Sequence, residues 1–257
     1  MQIAHISDLH LVADAGPVGL LRKDAVLRAY ALIRDLNEFT PALDLVVITG
    51  DTVNDAREDE YRVLSGLLAE LRIPYLLVPG NHDDRHLLRS VAPHQPYAEP
   101  DFMYHRRDLG TLRILALDTL SPGEIGGRLL SGQLDWLAHE LAQPFEGQTF
   151  IAMHHPPCKP RLGRLDGPTL MEGTAQLQAL LDAQPAPVTI LCGHMHRPFT
   201  AFLGRSLISA ATSTAFEFAL QLDANEEPPT HDAPYHYVIH ALDTQGGHAM
   251  HRRTPIF

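Results

Sequence analysis

Residues 73–84 read IPYLLVPGNHDD, a short apolar run that ends in a turn rich in polar side chains. The run at 75–79 is typical of a strand buried on both faces of a sheet, because helices cover such strands in α/β proteins. Gly80 lets the chain turn sharply, and an amide, an imidazole and a carboxylate follow at once in Asn81, His82 and Asp83. Other strands of this chain end in the same way, and this recurrence decides the fold.

The first two thirds of the chain alternate between apolar runs and amphipathic segments. Five further runs predict buried strands, at 3–7, 43–49, 112–118, 149–154 and 188–193. Helix-period segments lie between the predicted strands, at 18–39, at 57–71, at 131–142 with Ser131 as the expected N-cap, and around Leu177. Strands that alternate with helices predict βαβ units, and therefore a sheet covered by helices.

The pattern changes after residue 198. Two strands joined at Gly204 are predicted in 199–211, and residues 215–222 and 235–242 alternate with period two. We expect an antiparallel meander that forms a second sheet on the same core. No linker divides the chain, so the expected fold is one α/β domain, 1–257, with two stacked sheets flanked by helices. Residues 199–257 supply strands of the second sheet and a candidate cap or homodimer surface.

Composition limits the partners. The formal charge of −11 and the pI near 5.7 disfavour nucleic acid polymers and anionic membranes as partners. Two cysteines, Cys158 and Cys192, form no disulfide framework or thiolate metal motif, which fits a reducing compartment. No basic leader or membrane-spanning run is visible, so the expected location is the cytoplasm.

Metal-ligating residue types follow the carboxyl ends of five predicted strands. The positions are Asp8 and His10 in SDLH, Asp51 in TGDTVND, Asn81 in PGNHDD, His154 in MHHPP, and His194 and His196 in CGHMH. Open α/β sheets bind ligands at this edge, and residues two apart on a strand point the same way. Oxygen and imidazole donors without thiolate suit Mn, Fe, Co, Ni or Zn. Seven donors suit two ions roughly 3.5–4 Å apart better than one, with Asp51 as the candidate bridge.

These motifs resemble the calcineurin-like metallophosphoesterase superfamily. Its blocks D-x-H, G-D, G-N-H-[DE], H and G-H-x-H occur here in order, over roughly residues 3 to 200. HISDLHL, PGNHD, HHPP and GHMH are similar to the bacterial class III cyclic nucleotide phosphodiesterase and glycerophosphodiesterase group. The resemblance implies an αββα sandwich of two mixed β-sheets flanked by helices, the metallophosphoesterase fold. It implies two transition-metal ions (Mn, Fe, Zn or Co), with the ligands divided into Asp8, His10, Asp51 and His196 for one ion and Asp51, Asn81, His154 and His194 for the other.

The resemblance also implies that His82 is catalytic and lies outside the metal shell. In the expected reaction, an activated hydroxide attacks phosphorus in line with the leaving group. His82 then contacts the phosphoryl oxygen or protonates the leaving alkoxide, and Asp83 orients His82 through its other ring nitrogen. Asn81 is a neutral ligand, so the site stays positive enough to attract phosphate.

The expected function is hydrolysis of a small phosphodiester, either a 3′,5′-cyclic nucleotide such as cAMP or a glycerophosphodiester. A phosphomonoesterase, or a promiscuous phosphoesterase of the same fold, is the alternative. A non-catalytic binding scaffold is a further alternative, but no ligand position has been lost here. His155 follows a ligand candidate on an alternating strand and is expected to point away from the site. Phe216, Phe218, Tyr235 and Tyr237 are expected in the core, with a dimer surface as the alternative.

Overall fold

Two facing β-sheets form the centre of the protein in a computed structural model that describes residues 1–14, 19–232 and 234–255. The strands are β1 Gln2–Ile6, β2 Leu45–Thr49, β3 Tyr75–Val78, β4 His105–Leu109, β5 Leu112–Ala116, β6 Gly127–Arg128, β7 Gln148–Ala152, β8 Leu170–Glu172, β9 Thr189–Cys192, β10 Phe199–Leu203, β11 Ser206–Ala210, β12 Glu217–Phe218, β13 Thr230–His231, β14 Tyr237–Leu242 and β15 His248–Arg253. The helices are α1 Ala25–Glu38, α2 Glu58–Glu70, α3 Arg85–Val91, α4 Ser131–Ala142 and α5 Thr174–Asp182.

Both large sheets are mixed. The first has the order β15-β14-β1-β2-β3, and β1, β2 and β3 run parallel. The second has the order β10-β11-β9-β7-β5-β4, with a parallel centre between antiparallel edge strands β10 and β4. Apolar side chains of both sheets meet in one buried layer, including Val47 of β2 and Phe150 of β7. The predicted αββα sandwich of two mixed sheets is confirmed.

Helices cover the outer face of each sheet. Leu32 of α1 and Leu64 of α2 belong to one buried cluster with residues of the first sheet. Leu137 of α4 and Leu177 of α5 belong to another with residues of the second sheet. The helical period places apolar residues on one stripe, so each helix buries one face and leaves the other in water. No helix of the described residues is long and apolar enough to cross a membrane.

The predicted role of residues 199–257 is wrong in one respect. Strands β10 and β11 do extend the second sheet, but β14 and β15 extend the first sheet beside β1. Only Glu217–Phe218 of the predicted strand at 215–222 is extended and paired. A period-two pattern shows which faces are buried, but not which strand is the hydrogen-bonded neighbour. The cap or homodimer surface stays a prediction.

Two local expectations also change. Leu130 occupies the N-cap position of α4, and the predicted cap Ser131 is the first helical residue, so its hydroxyl does not cap the helix. Helix α3 lies between residues 71 and 131, where no helix was predicted, and the side chain of Asp84 caps it by accepting a hydrogen bond from the amide of Leu87 at 2.9 Å.

Candidate metal centre

The carboxyl ends of β1, β2, β3, β7 and β9 meet at one edge of the sandwich. Backbone hydrogen bonds join the loops that follow β1 and β2: the amide of Asp8 donates to Gly50 O and that of His10 to Asp51 O, both at 3.0 Å. The amide of His194 donates to the Asp8 carboxylate at 3.0 Å, which joins the β9 loop to the β1 loop. Loops far apart in sequence are therefore locked together around one point.

Four buried side chains form the first cluster of potential metal ligands. The ligand atoms of Asp8, His10, Asp51 and His196 all lie within 4.8 Å of one another. His10 Nε2 is 3.5 Å from Asp51 Oδ2, and His196 Nε2 is 3.4 Å from Asp8 Oδ1. The Nε2 atoms of the two histidines are 3.0 Å apart. Each of these four residues is at most 5% exposed, so the cluster is buried.

A second group of donors lies on the other side of Asp51. His154 Nε2 is 3.2 Å from Asp51 Oδ2 and 3.1 Å from the amide oxygen of Asn81. The His194 ring lies edge-on to the His154 ring, with 5.0 Å between centroids. Asp51 thus has neighbours in both groups, which is the arrangement expected of a bridging carboxylate.

Hydrogen bonds to backbone carbonyls fix the tautomers of three histidines. His154 Nδ1 donates to Thr49 O at 2.7 Å, and His196 Nδ1 donates to Phe216 O at 3.2 Å. Both rings therefore turn Nε2 toward the centre, His154 toward Asp51 and Asn81, and His196 toward His10. His194 donates through Nε2 to Pro168 O at 2.7 Å, which leaves Nδ1 free to coordinate. Metal-ligating histidines usually donate their second ring nitrogen in this way.

Burial and neighbouring charges shift the pKa values of the donor side chains in different directions. Burial lowers the pKa of His10 to about 4 and that of His194 to about 3, so these imidazoles are neutral at pH 7. Burial raises the pKa of Asp8 to about 7. Burial also opposes ionisation of Asp51, but the charge of His154 and its hydrogen bond to Asp51 outweigh burial and hold the Asp51 pKa well below its usual range. Neutral imidazoles and ionised carboxylates are the forms that coordinate metal.

The residues fit a pair of metal ions. His196 aims its Nε2 lone pair at the Nε2 of His10, only 3.0 Å away. Two imidazole nitrogens this close share a proton in a hydrogen bond or bind a common cation. The oxygen and imidazole donors, without thiolate, belong to the chemistry of borderline transition metals. The described residues therefore contain two adjoining potential metal sites.

The backbone of this edge is strained. Seven non-glycine residues of the described chain have positive φ, and five of them are Asp8, His10, Asp51, His194 and His196, with φ between 42° and 70°. Left-handed backbone costs roughly 1–3 kcal/mol per non-glycine residue and persists where surrounding structure enforces it. All five are predicted ligands, so the strain lies where donor direction matters.

Two glycines are required by close approach. A Cβ on Gly80 would lie 2.2 Å from Asp51 Oδ1, and a Cβ on Gly50, where φ is 90°, would lie 2.7 Å from His154 Nδ1. Any other residue would push the loops apart. The glycines in the G-D and G-N-H motifs thus set the spacing of the donors.

His82 stands at the exposed rim of the site, and its orientation differs from the prediction. Its backbone amide donates to Asp51 Oδ1 at 2.8 Å, and its ring lies edge-on to the ring of His10 at 4.6 Å. His82 Nδ1 donates to the carbonyl of Asn54 at 2.6 Å, so Asn54 orients the ring and Asp83 does not. Nε2 of His82 makes no hydrogen bond within the part of the chain that the structure describes.

The Asp83 carboxylate points inward. It accepts hydrogen bonds from the amide of Thr52 at 3.2 Å, the hydroxyl of Thr52 at 2.5 Å and the amide of Gly80 at 2.9 Å. It therefore clamps the loop after β2 to the loop after β3. The predicted contact with His82 is wrong, because the tight G-N-H-D turn directs the Asp83 carboxylate toward Thr52 and Gly80 instead.

His155 is closer to the site than predicted. Its ring lies 4.5 Å from that of His194 and groups with His154 and His194 by position. Both of its nitrogens are occupied, Nδ1 by the Thr119 hydroxyl at 2.8 Å and Nε2 by Ile125 O at 2.9 Å. His155 thus supports the wall behind His194.

Two residues of the site carry no sequence signal. The Ser213 hydroxyl donates to Asp8 O at 2.6 Å and holds the strained SDLH loop. The ring of Phe216 stacks on His196 with 3.9 Å between centroids and 26° between planes. Phe216 was expected in the core. Its position depends on pairing between β12 and β13, which no local pattern shows.

Comparison with known proteins identifies the class of protein first. Residues 1–198 match the calcineurin-like phosphoesterase family. A dimetal phosphatase from Danio rerio has a similar solved structure, with a TM-score of 0.72, 14% identity, and coverage of 99% of this chain and 96% of that one. The fold is thus the metallophosphoesterase fold.

Relatives with similar sequences support the same family. The chain is 34% identical over 201 residues to a glycerophosphodiester phosphodiesterase of Enterobacter lignolyticus, covering 76% of this chain and 71% of the relative. It is 30% identical over 257 residues to a probable cyclic nucleotide phosphodiesterase of a Synechococcus species, covering 96% and 95%. The protein belongs to the calcineurin-like phosphoesterase family and is a hydrolase.

Proposed function

We propose that this protein is a dinuclear-metal phosphodiesterase that hydrolyses small diesters, either 3′,5′-cyclic nucleotides or glycerophosphodiesters. One observation carries the proposal: two groups of metal-ligating donors share Asp51 and adjoin the exposed His82. The similarity to relatives named as diesterases supports a diester as the substrate class.

In this proposal Asp8, His10, Asp51 and His196 hold one ion, and Asp51, Asn81, His154 and His194 hold the other. Ions of Mn, Fe, Zn or Co suit these donors, and when bound they would activate a water molecule and neutralise the phosphoryl oxygens. Only two of the seven donor residues, Asp8 and Asp51, are carboxylates. Two divalent ions would therefore leave a positive site within a chain whose formal charge is −11, and a phosphate anion is attracted to it.

The chain itself supplies the proton. Asn54 O holds Nδ1–H of His82, which leaves Nε2 as the ring nitrogen that can act on the ester. In the proposed step the water oxygen forms a bond to phosphorus and its proton passes to solvent, while the bond from phosphorus to the ester oxygen breaks. The doubly protonated ring of His82 gives its Nε2 proton to the departing alkoxide and takes up a new proton from solvent after the step. A positioned general acid contributes typically 10²–10⁴-fold to the rate.

The test compares kcat/KM of the Mn²⁺-loaded protein on 3′,5′-cyclic AMP, glycerophosphoethanolamine and a phosphomonoester. We expect turnover of at least one diester above that of the monoester, and loss of activity in EDTA that added Mn²⁺ reverses. His82→Ala should lower kcat on an alkyl diester by about 10²–10⁴-fold with unchanged metal content.

His86→Ala is the matched control, because His86 is an exposed histidine four residues further along the same segment. It should leave kcat unchanged. A protein that retains full activity after complete metal removal, or that turns over only monoesters, would contradict the proposal. Equal turnover by the wild type and His82→Ala would contradict only the proposed acid role of His82.

A further inference from the structure

Two phenylalanine rings lead outward from the candidate metal centre. The Phe216 ring stacks on His196 and lies 6.0 Å from the ring of His10. The Phe218 ring meets Phe216 edge-on, with 5.3 Å between centroids and 86° between planes. Residues two apart on extended backbone point the same way, so Phe218 continues the wall that Phe216 begins.

Hydrogen bonds fix this wall in register with the metal ligands. The amide of Phe218 donates to His196 O at 3.3 Å, and His196 Nδ1 donates to Phe216 O at 3.2 Å. Ser213 links the same segment to Asp8, because its hydroxyl donates to Asp8 O and accepts from the amide of Ala215 at 2.9 Å. The two rings are therefore held at a set position relative to the reacting centre.

Phe218 opens into an apolar cleft of about 410 Å³. We call it the aromatic cleft; its apolar lining is Leu20, Leu165, Phe218, Pro228 and Pro229. Arg164 and Glu227 lie in the same lining and approach each other to 3.5 Å. The volume falls within the range of roughly 300–1,000 Å³ typical of small-molecule sites.

Several features of this cleft fit a planar aromatic group. Phe218 is only partly buried, and Leu20 is 57% exposed although it lies in a cleft beside the site. A glycerol headgroup has hydroxyls and no π-face, so it would leave these surfaces bare and would lose hydrogen bonds to water. A nucleobase stacks on aromatic rings and buries apolar surface at the same time.

We propose that the aromatic cleft binds the base of a 3′,5′-cyclic nucleotide while its phosphate lies at the metal centre. This inference rests on the proposed diesterase function and narrows its substrate class. Phe218 is then a specificity-determining residue, and Phe216 is the wall between base and metal ligands.

The experiment distinguishes recognition of the base from recognition of the phosphodiester. Kinetics of the Mn²⁺-loaded wild type and Phe218→Ala are measured on 3′,5′-cyclic AMP and on the 3′,5′-cyclic phosphate of 1-deoxyribose, which has the same diester ring and no base. Stacking of one base on an aromatic ring corresponds to about a 10-fold effect. Phe218→Ala should lower kcat/KM on cyclic AMP by about 10-fold, mainly through KM, and change the base-free substrate less than 2-fold.

Phe202→Ala is the matched control, since Phe202 is 68% exposed on the edge strand β10 and lines a different groove. Phe202→Ala should leave kcat/KM unchanged on both cyclic substrates. Thermal unfolding of both variants checks that the fold is kept.

The possible failures differ. If the wild type turns over neither cyclic substrate nor glycerophosphoethanolamine, the proposed function falls. If it turns over both cyclic substrates equally, or prefers glycerophosphoethanolamine, the function stands and the inference is overturned. An equal loss on both cyclic substrates in Phe218→Ala would also overturn it, because a structural defect does not distinguish a base.

Discussion

Replacing Asp83 with alanine should destabilise the protein and weaken metal binding together. The carboxylate is 6% exposed and accepts hydrogen bonds from the amide and hydroxyl of Thr52 and from the amide of Gly80. Alanine leaves two buried N–H groups and one buried hydroxyl without an acceptor. The loops that carry Asp51 and Asn81 then lose the group that ties them.

The magnitude follows from those three donors. An unsatisfied buried donor costs about 1–3 kcal/mol, and the Thr52 hydroxyl can rotate to another acceptor. Burial raises the pKa of Asp83 to about 6, so removing an ionised buried group offsets part of the loss. A net loss of about 2–4 kcal/mol remains. At about 2–4 °C per kcal/mol for a chain of this size, Tm should fall by about 5–15 °C.

The assay is thermal unfolding at pH 8, where Asp83 is ionised, together with metal content after dialysis against a fixed Mn²⁺ concentration. Asp83→Ala should bind less metal, and excess Mn²⁺ should restore part of its activity. Asp84→Ala is the control: it removes an exposed helix cap, which costs about 1 kcal/mol, and should leave metal content unchanged. A Tm within 2 °C of the wild type, combined with a large loss of kcat, would show that Asp83 acts in the chemistry and would refute the clamp.

Two further predictions concern a close approach and buried histidines. Gly193→Ala would place a Cβ 2.4 Å from Asp8 Oδ2, so metal content and Tm should both fall. In the control Gly132→Ala the new Cβ meets no atom within 4 Å, and the change should stabilise α4 by up to about 1 kcal/mol. Equal metal content in the two variants would contradict this prediction. Burial lowers the pKa of His5 to about 3 and that of His240 well below its usual value. The unfolded chain therefore binds protons below about pH 6.5 that the folded chain does not, so stability is fully present above pH 6.5 and is lost as pH falls toward 3. Urea unfolding between pH 7.5 and 4.5 should show this loss, and His240→Leu should make it shallower; parallel slopes would exclude the explanation.

Much of the site could be predicted because ligand residues and strand ends coincide in the sequence. Parallel strands place their carboxyl ends at one edge, so side chains from positions 8 to 196 had to approach one another once the strands were recognised. The structure brings all seven predicted donors together. Strand identity needed only local apolar runs, since a strand buried on both faces has few polar positions.

The errors have a common physical cause. His155 was placed by strand alternation, the Phe216 segment by its period-two pattern, and Asp83 by the usual partner of a catalytic histidine. Each lies in or beside a turn where the backbone leaves the extended form. Five ligand positions have positive φ, and no residue pattern other than the neighbouring glycines signals that. Strands β14 and β15 join the first sheet, whereas β10 and β11 join the second. Which sheet each pair joins depends on which sheet edge is free, and only the packing of the whole chain determines that.

The sequence by itself determined the αββα class, the family and the set of donor side chains, because periodicity and spacing are local properties that survive without coordinates. The tertiary structure decided what the donors' neighbours do: Asn54 orients His82, Asp83 clamps two loops, and Phe216 and Phe218 extend the site into a cleft. These contacts join residues from different loops whose approach depends on the packing of both sheets, so no stretch of sequence contains them.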